Sequence, residues 1–303
     1  METKAGFVTI VGLPNAGKST LMNALIGEQL SVATNKPQTT RKKIVGILSE
    51  PDYQMVFLDT PGILKPEYLL QEKMLDFVFS SVRDTDLLLV IVDITIDKSG
   101  SRLLENETVQ KILRAEKCPK ILIINKIDES DKNIVEALIS KAEKTELFNN
   151  IIPVSAKLKF NLESVIETIK ENLPVHPKYY PDDQITDESE RFFVSEIIRG
   201  KIFELLKEEI PYSTEVIIAE FKERDKKSKD YISAEIVVEK ETQKPIVIGN
   251  QGTMIKRIGN NSRLEIEKFL GKEVFLELRV KVRNKWRSNK NLLRSFGYDI
   301  KDE

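Results

Sequence analysis

The chain changes its hydrophobic rhythm once. From residue 7 to residue 173, short apolar runs alternate with longer amphipathic stretches. Phe7–Val11, Leu87–Val92, Ile121–Ile124 and Ile151–Val154 are apolar and bounded by polar residues. Short continuous runs of this kind predict strands buried on both faces. Lys43–Leu48 and Gln54–Leu58 flank the turn-rich Ser49-Glu50-Pro51-Asp52, which predicts an antiparallel hairpin. Between the runs, amphipathic segments near 69–83, 102–115, 131–147 and 161–172 predict helices. The sum is an α/β domain: a mostly parallel sheet, helices on both faces, one antiparallel edge.

Past residue 173 the pattern breaks. Pro174, Pro177, Pro181, Asp182 and Asp183 predict a linker over 175–186, between domains at 1–174 and 187–303. Asp187-x-x-Glu190 has the form of a capping box ahead of an amphipathic helix to about Leu206. Thr214–Phe221 and Tyr231–Glu239 predict strands joined by the charged loop Lys222–Asp230. Pro245–Ile248, a Gly249-Asn250-Gln251-Gly252 loop and a helix over Thr253–Phe269 follow. In the last predicted strand, Val274–Val282, Leu276, Leu278, Val280 and Val282 face one way and Arg279, Lys281 and Arg283 the other. This half is α+β.

Composition narrows the picture little. A chain of 303 residues suits two domains, and 47 basic against 48 acidic residues argue for no nucleic acid, so any basic surface must be local. The one cysteine, Cys118, forbids an internal disulfide, fits a reducing compartment and is expected to be a small buried hydrophobe. No apolar stretch nears the ~20 residues of a membrane span. Met1–Ala5 runs almost at once into a strand, so no signal peptide is expected. His176, the lone histidine, is assigned no role.

The chemistry begins at Gly12-Leu13-Pro14-Asn15-Ala16-Gly17-Lys18-Ser19, followed by Thr20, between a predicted strand and a predicted helix. It fits G-x-x-x-x-G-K-[ST], a loop whose N–H groups turn onto phosphate oxygens. Lys18 would reach the β and γ phosphates, and the Ser19 hydroxyl would ligate Mg²⁺. Asp59-Thr60-Pro61-Gly62 follows a strand, where a carboxylate can hold Mg²⁺ through water and the Gly62 N–H can sense a γ-phosphate. Asn125-Lys126-Ile127-Asp128 follows another. Asp128 can accept from guanine N1–H and N2–H₂ together, a donor pair adenine lacks. Asn125 can orient the loop or meet the base, and the Lys126 stem can cover it. Ser155-Ala156-Lys157 can present the Ala156 N–H to guanine O6.

These four motifs, each just past a strand, resemble a translation-factor-type small GTPase domain over residues 5–173. The resemblance makes Lys36-Pro37-Gln38-Thr39-Thr40-Arg41 the first switch, in which a threonine completes the Mg²⁺ shell. Thr39 and Thr40 are both candidates, and likeness to Q/G-T-T-R loops favours Thr40. Where Ras-like enzymes carry a catalytic glutamine stands Ile63, which cannot orient water, so slow hydrolysis is expected. Asn15 resembles the asparagine through which related GTPases bind K⁺ beside the phosphates; otherwise it is a turn residue. Catalysis would then rest on Lys18, Thr40, Gly62 and Asn15.

In the second half, Gly249-Asn250-Gln251-Gly252 looks like the G-x-x-G loop of a KH module, which clamps single-stranded nucleic acid. The order helix-strand-strand-helix-strand is that of type II KH domains. Lys256, Arg257, Arg279, Lys281, Arg283, Lys285 and Arg287 are candidate phosphate partners. Trp286 either stacks on a base or packs a terminal helix. A GTPase domain followed by a type II KH domain resembles the Era family of bacterial ribosome-assembly GTPases over essentially the whole chain. That resemblance implies GTP/GDP and Mg²⁺ as cofactors, and the 3′ end of small-subunit ribosomal RNA and the small subunit as partners. It further implies a cytoplasmic monomer, with peripheral inner-membrane contact left open. The competing reading is a binding module that nucleotide merely stabilises. A tandem GTPase or a tRNA-modifying GTPase is disfavoured, because the chain has one N-K-x-D box and no third domain.

Overall fold

The fully apolar runs become the centre of a six-stranded sheet of order β2-β3-β1-β4-β5-β6. The computed structural model describes residues 2–225 and 228–298. The strands and helices, in chain order, are β1 (Lys4–Gly12), α1 (Lys18–Ile26), β2 (Ile44–Glu50), β3 (Tyr53–Asp59), α2 (Leu69–Arg83) and β4 (Leu87–Asp93). Then come α3 (Ser101–Leu104), α4 (Glu107–Ala115), β5 (Lys120–Asn125), α5 (Lys132–Glu143), β6 (Asn150–Pro153) and α6 (Leu162–Asn172). Only β2 runs antiparallel, against β3. All of β4 and β5 is buried, as unalternating runs require. The predicted helix over 102–115 is two helices. Asn106 interrupts it by accepting from the Thr108 and Val109 amides, capping α4.

The second stretch forms α7 (Glu190–Leu205), β7 (Glu215–Lys222), β8 (Asp230–Val238), α8 (Lys244–Ile248), α9 (Thr253–Leu270), β9 (Val274–Val282) and α10 (Lys290–Ser295). Its sheet runs β7-β8-β9, with β7 antiparallel and β9 parallel to β8. The apolar face of β9, from Leu276 to Val282, packs into a core with Ile198, Ile202, Ile232, Ala234 and Ile266. The cap of α7 is Ser189, which accepts from the Phe192 amide, in place of the predicted box at Asp187.

The chain divides into two compact units. One holds the residues up to Pro66 and Met74–Asp187; the other holds Glu67–Lys73 and the residues from Glu188 on. The predicted linker is not free chain. Gln54, fully buried, accepts from the Tyr179 and Tyr180 amides through Oε1 and donates to Tyr180 O through Nε2. Further on, Ile47 N–H donates to Ile185 O, and Thr186 Oγ1 donates to Val45 O. Residues 174–186 therefore run as a strap along the hairpin edge of the first unit. His176 stacks on Tyr179, with ring centroids 4.5 Å apart. Cys118 is half-buried at the rim of the first unit's core, and burial raises its thiol pKa. Among the described residues no helix is long and apolar enough to cross a membrane.

Candidate nucleotide and RNA sites

Because β1, β3, β4 and β5 are parallel, their carboxyl ends emerge along one edge of the sheet. Ligands of open α/β sheets gather at such an edge. There lies a cleft of about 510 Å³, walled by the phosphate loop, residues 32–40, Gly62, the Asn125–Glu129 turn, Ser155 and Lys157. The Asn15, Lys18, Ser19, Thr20, Thr39, Thr40, Asn125, Lys126 and Asp128 predicted from sequence all line it.

The phosphate loop is built by its backbone. Gly17 has φ 97°, and a Cβ there would strike the Asn125 side-chain amide. Lys18 is buried and donates to Leu13 O at 3.1 Å and to Gly12 O at 3.3 Å. Burial lowers its ammonium to about 8, against the opposing pull of Asp59. A phosphate would supply the counter-charge that burial withholds.

Beyond the loop, the three predicted metal residues meet. Asp59 Oδ2 accepts from Ser19 Oγ at 2.7 Å and from Thr40 Oγ1 at 3.3 Å, and Ser19 and Thr40 lie 2.9 Å apart. Thr39 instead bonds Thr34 and Lys36 O, so of the two threonines Thr40 joins the cluster. Asp59 Oδ1 is buried with no hydrogen-bond partner. Burial raises the Asp59 pKa, and the Ser19 hydrogen bond opposes it. Two hydroxyls and a buried carboxylate with one unpartnered oxygen form a hard oxygen set that fits Mg²⁺.

The base end is organised by Asn125. Its Nδ2 donates to Ala16 O at 2.9 Å, and its Oδ1 accepts from Ala156 N at 3.1 Å. Of its two predicted roles, these bonds show the orienting of the loops. The Ala156 N–H predicted for guanine O6 is bonded to Asn125, so a base carbonyl would have to share it. Lys126, in the left-handed region at φ 65°, donates through Nζ to Asp93 Oδ2 at 2.5 Å. Thr95 grips the other Asp93 oxygen. Asp93 carried no motif in the sequence, although it closes β4 as Asp59 closes β3 and Asn125 closes β5. Ser31, which donates to Asp59 Oδ2 at 2.7 Å, had no sequence signal.

Two residues singled out for catalysis, Ile63 and Asn15, have defined places. Ile63 is buried in the core and its N–H donates to Gly12 O, so it takes no part in holding water. Asn15, at φ 63°, donates through Nδ2 to Asn35 O at 3.0 Å, joining the phosphate loop to the segment before Thr40.

In the second unit, Gly249, Gln251 and Gly252 all have positive φ, and the loop opens directly into α9. Lys256, Arg257, Arg283 and Lys285 are exposed. Three predicted phosphate partners are otherwise engaged: Arg279 with Glu277, Lys281 with Glu235, and Arg287 with Glu239. Trp286 requires correction as a base-stacking residue. It is fully buried, its Nε1 donates to Ser213 O at 2.9 Å, and its ring meets Phe296 edge-on.

Known proteins carry the same arrangement. A model described as 50S ribosome-binding GTPase matches residues 7–126, and a KH domain model matches residues 209–287. The chain is 45% identical to GTPase Era of Clostridium beijerinckii over 297 residues, 97% of each. It is also 45% identical to GTPase Era of a Geobacter species, across 98% of each. A solved structure of Era in complex with MgGDPNP and nucleotides 1506–1542 of 16S ribosomal RNA matches with a TM-score of 0.93. It is 38% identical and covers 98% of this chain and 100% of that one. A single-residue variant of Aquifex aeolicus Era bound to GDP·AlF₄⁻ matches at a TM-score of 0.91 and 36% identity, covering 98% of this chain and 100% of that one. By sequence over nearly its whole length and by fold, the chain belongs to the Era family of GTPases.

Proposed function

We propose that this GTPase binds the single-stranded 3′ end of 16S ribosomal RNA and that its nucleotide state sets how tightly. One observation carries the reading: a nucleotide cleft lined by Thr40 and Gly62 and a G-x-x-G loop coexist in one chain, and the Era relative solved with MgGDPNP is in complex with nucleotides 1506–1542 of 16S ribosomal RNA. In the site, Lys18, the phosphate-loop amides and the Gly62 N–H bind the triphosphate, while Asp128 reads guanine. Ser19, Thr40 and Asp59 would hold Mg²⁺, which supplies positive charge to the phosphates. Lys18 and the loop amides then stabilise the charge that develops on the leaving phosphates.

Ile63 leaves water positioning to other groups. K⁺ bound at Asn15 would supply the positive charge that other GTPases take from an arginine finger. Gly249–Gly252, Lys256 and Arg257 contact the RNA backbone. The GTP-bound chain assists small-subunit assembly as a cytoplasmic monomer with peripheral contact at the inner membrane.

Crosslinking the GTP-analogue complex to cellular RNA, followed by sequencing, tests this. Reads concentrated at the 16S 3′ end, and lost in Gly252→Asp, are expected. Reads spread evenly over RNA and unchanged by that substitution would defeat the proposal.

A further inference from the structure

Asp59 Oδ2 accepts from three hydroxyls, and two of them, Ser19 and Thr40, belong to the metal cluster already described. The third is Ser31, 1% exposed and 2.7 Å away. Ser31 does not reach Asp59 by chance of a mobile loop. Asn23 Oδ1 accepts from the Leu30 and Ser31 amides at 3.0 and 2.9 Å, and Asn23 Nδ2 donates to Ser31 O at 2.7 Å. Asn23 lies on α1, four residues beyond Ser19 and so on the same helix face. One helix therefore delivers Ser19 to the site directly and Ser31 indirectly, through the Asn23 side chain.

From this geometry we infer that Ser31 is the positioning residue of the metal carboxylate. Ser19 and Thr40 divide their oxygens between Asp59 and a cation. Ser31 serves Asp59 alone. It holds Oδ2, the carboxylate oxygen that also meets Ser19 and Thr40, and so fixes the edge of Asp59 that is turned toward the metal cluster. Groups that orient a ligating carboxylate tune metal affinity without touching the metal. The inference rests on the Mg²⁺ reading above.

The test is the release of a fluorescent GDP from the full chain, measured against Mg²⁺ concentration from excess EDTA upward. Wild type, Ser31→Ala, Ser31→Thr and Asn23→Ala are compared. The half-saturating Mg²⁺ should rise by about 10–100-fold in Ser31→Ala. Ser31→Thr, which keeps the hydroxyl, should lie near wild type, and Asn23→Ala should fall between. Release in EDTA should be the same for Ser31→Ala and wild type, because no ion is there to be oriented toward. An equal Mg²⁺ response in Ser31→Ala and wild type overturns the inference. So does faster release in EDTA that accounts for the whole effect, which would mark Ser31 as structural only. Wild-type release indifferent to Mg²⁺ would instead overturn the metal reading itself, and this inference with it.

Discussion

Asn125 Nδ2 donates to Ala16 O at 2.9 Å, tying the end of β5 to the phosphate loop 109 residues away. Its other amide atom, Oδ1, accepts from Ala156 N. A side chain with one donor and one acceptor end is what two backbone groups of opposite polarity require. Removing it leaves a buried carbonyl and a buried amide unpaired, each at about 1–3 kcal/mol. Asn125→Ala should therefore weaken GDP on the order of 100-fold by titration calorimetry. Asn125→Asp should do little better, because its second oxygen faces Ala16 O and repels it. GDP affinity within threefold of wild type in either variant would refute this role.

Trp286 is expected to matter for stability and not for RNA. Trp286→Phe removes the donor to Ser213 O and leaves that carbonyl unpaired, a loss of about 1–3 kcal/mol. Denaturant unfolding should show that loss, while RNA affinity of the folded protein stays within about twofold. Stacking on a base would give the reverse, since that contact is worth about 1–3 kcal/mol per base.

The Asn15–Asn35 bond makes a cation test informative. GTP turnover should be faster in K⁺ than in Na⁺, and Asn15→Ala should erase the difference while GDP binding survives. Equal rates of the wild type in both salts would return Asn15 to the role of a turn residue.

Salt dependence should count the RNA contacts. Each phosphate neutralised on a single strand contributes a log–log slope of roughly −0.7. If only the exposed Lys256, Arg257, Arg283 and Lys285 contribute, the slope is about −3, against about −5 if the paired Arg279, Lys281 and Arg287 join them. Gly252→Asp should abolish most of this binding. A Cβ there meets nothing closer than 3.9 Å, so the added carboxylate and the strain at φ 78° act on the RNA loop and not on the core.

The sheet was legible because its strands need no partner to be recognised: Leu87–Val92 and Ile121–Ile124 are apolar throughout. The phosphate and base motifs were legible because each is a short contiguous string at a strand end. What escaped depends on contacts distant in sequence. Ser31 and Asp59 are 28 residues apart, and Asp93 and Lys126 are 33 apart. Arg279 and Lys281 alternate correctly onto the outer face; the Lys281–Glu235 pair needs the β8–β9 register, whereas Arg279 pairs with Glu277 two residues before it on the same strand. The proline-rich strap reads as a linker because proline marks irregular backbone; Gln54, far upstream, is what fixes it in place.

The central claim is that nucleotide state gates RNA binding, and one titration tests it most directly. A single-stranded RNA with the sequence of the 16S 3′ end is titrated into the wild-type chain loaded with GTP analogue, and separately with GDP, at one salt concentration. With Thr40 and Gly62 drawn onto the γ-phosphate, the analogue form should bind at least tenfold more tightly, a coupling of about 1.4 kcal/mol. By reciprocity, saturating RNA must then shift the preference for analogue over GDP by the same factor. Equal RNA affinity in the two forms would contradict the switch and leave a chain that binds RNA whatever nucleotide it holds.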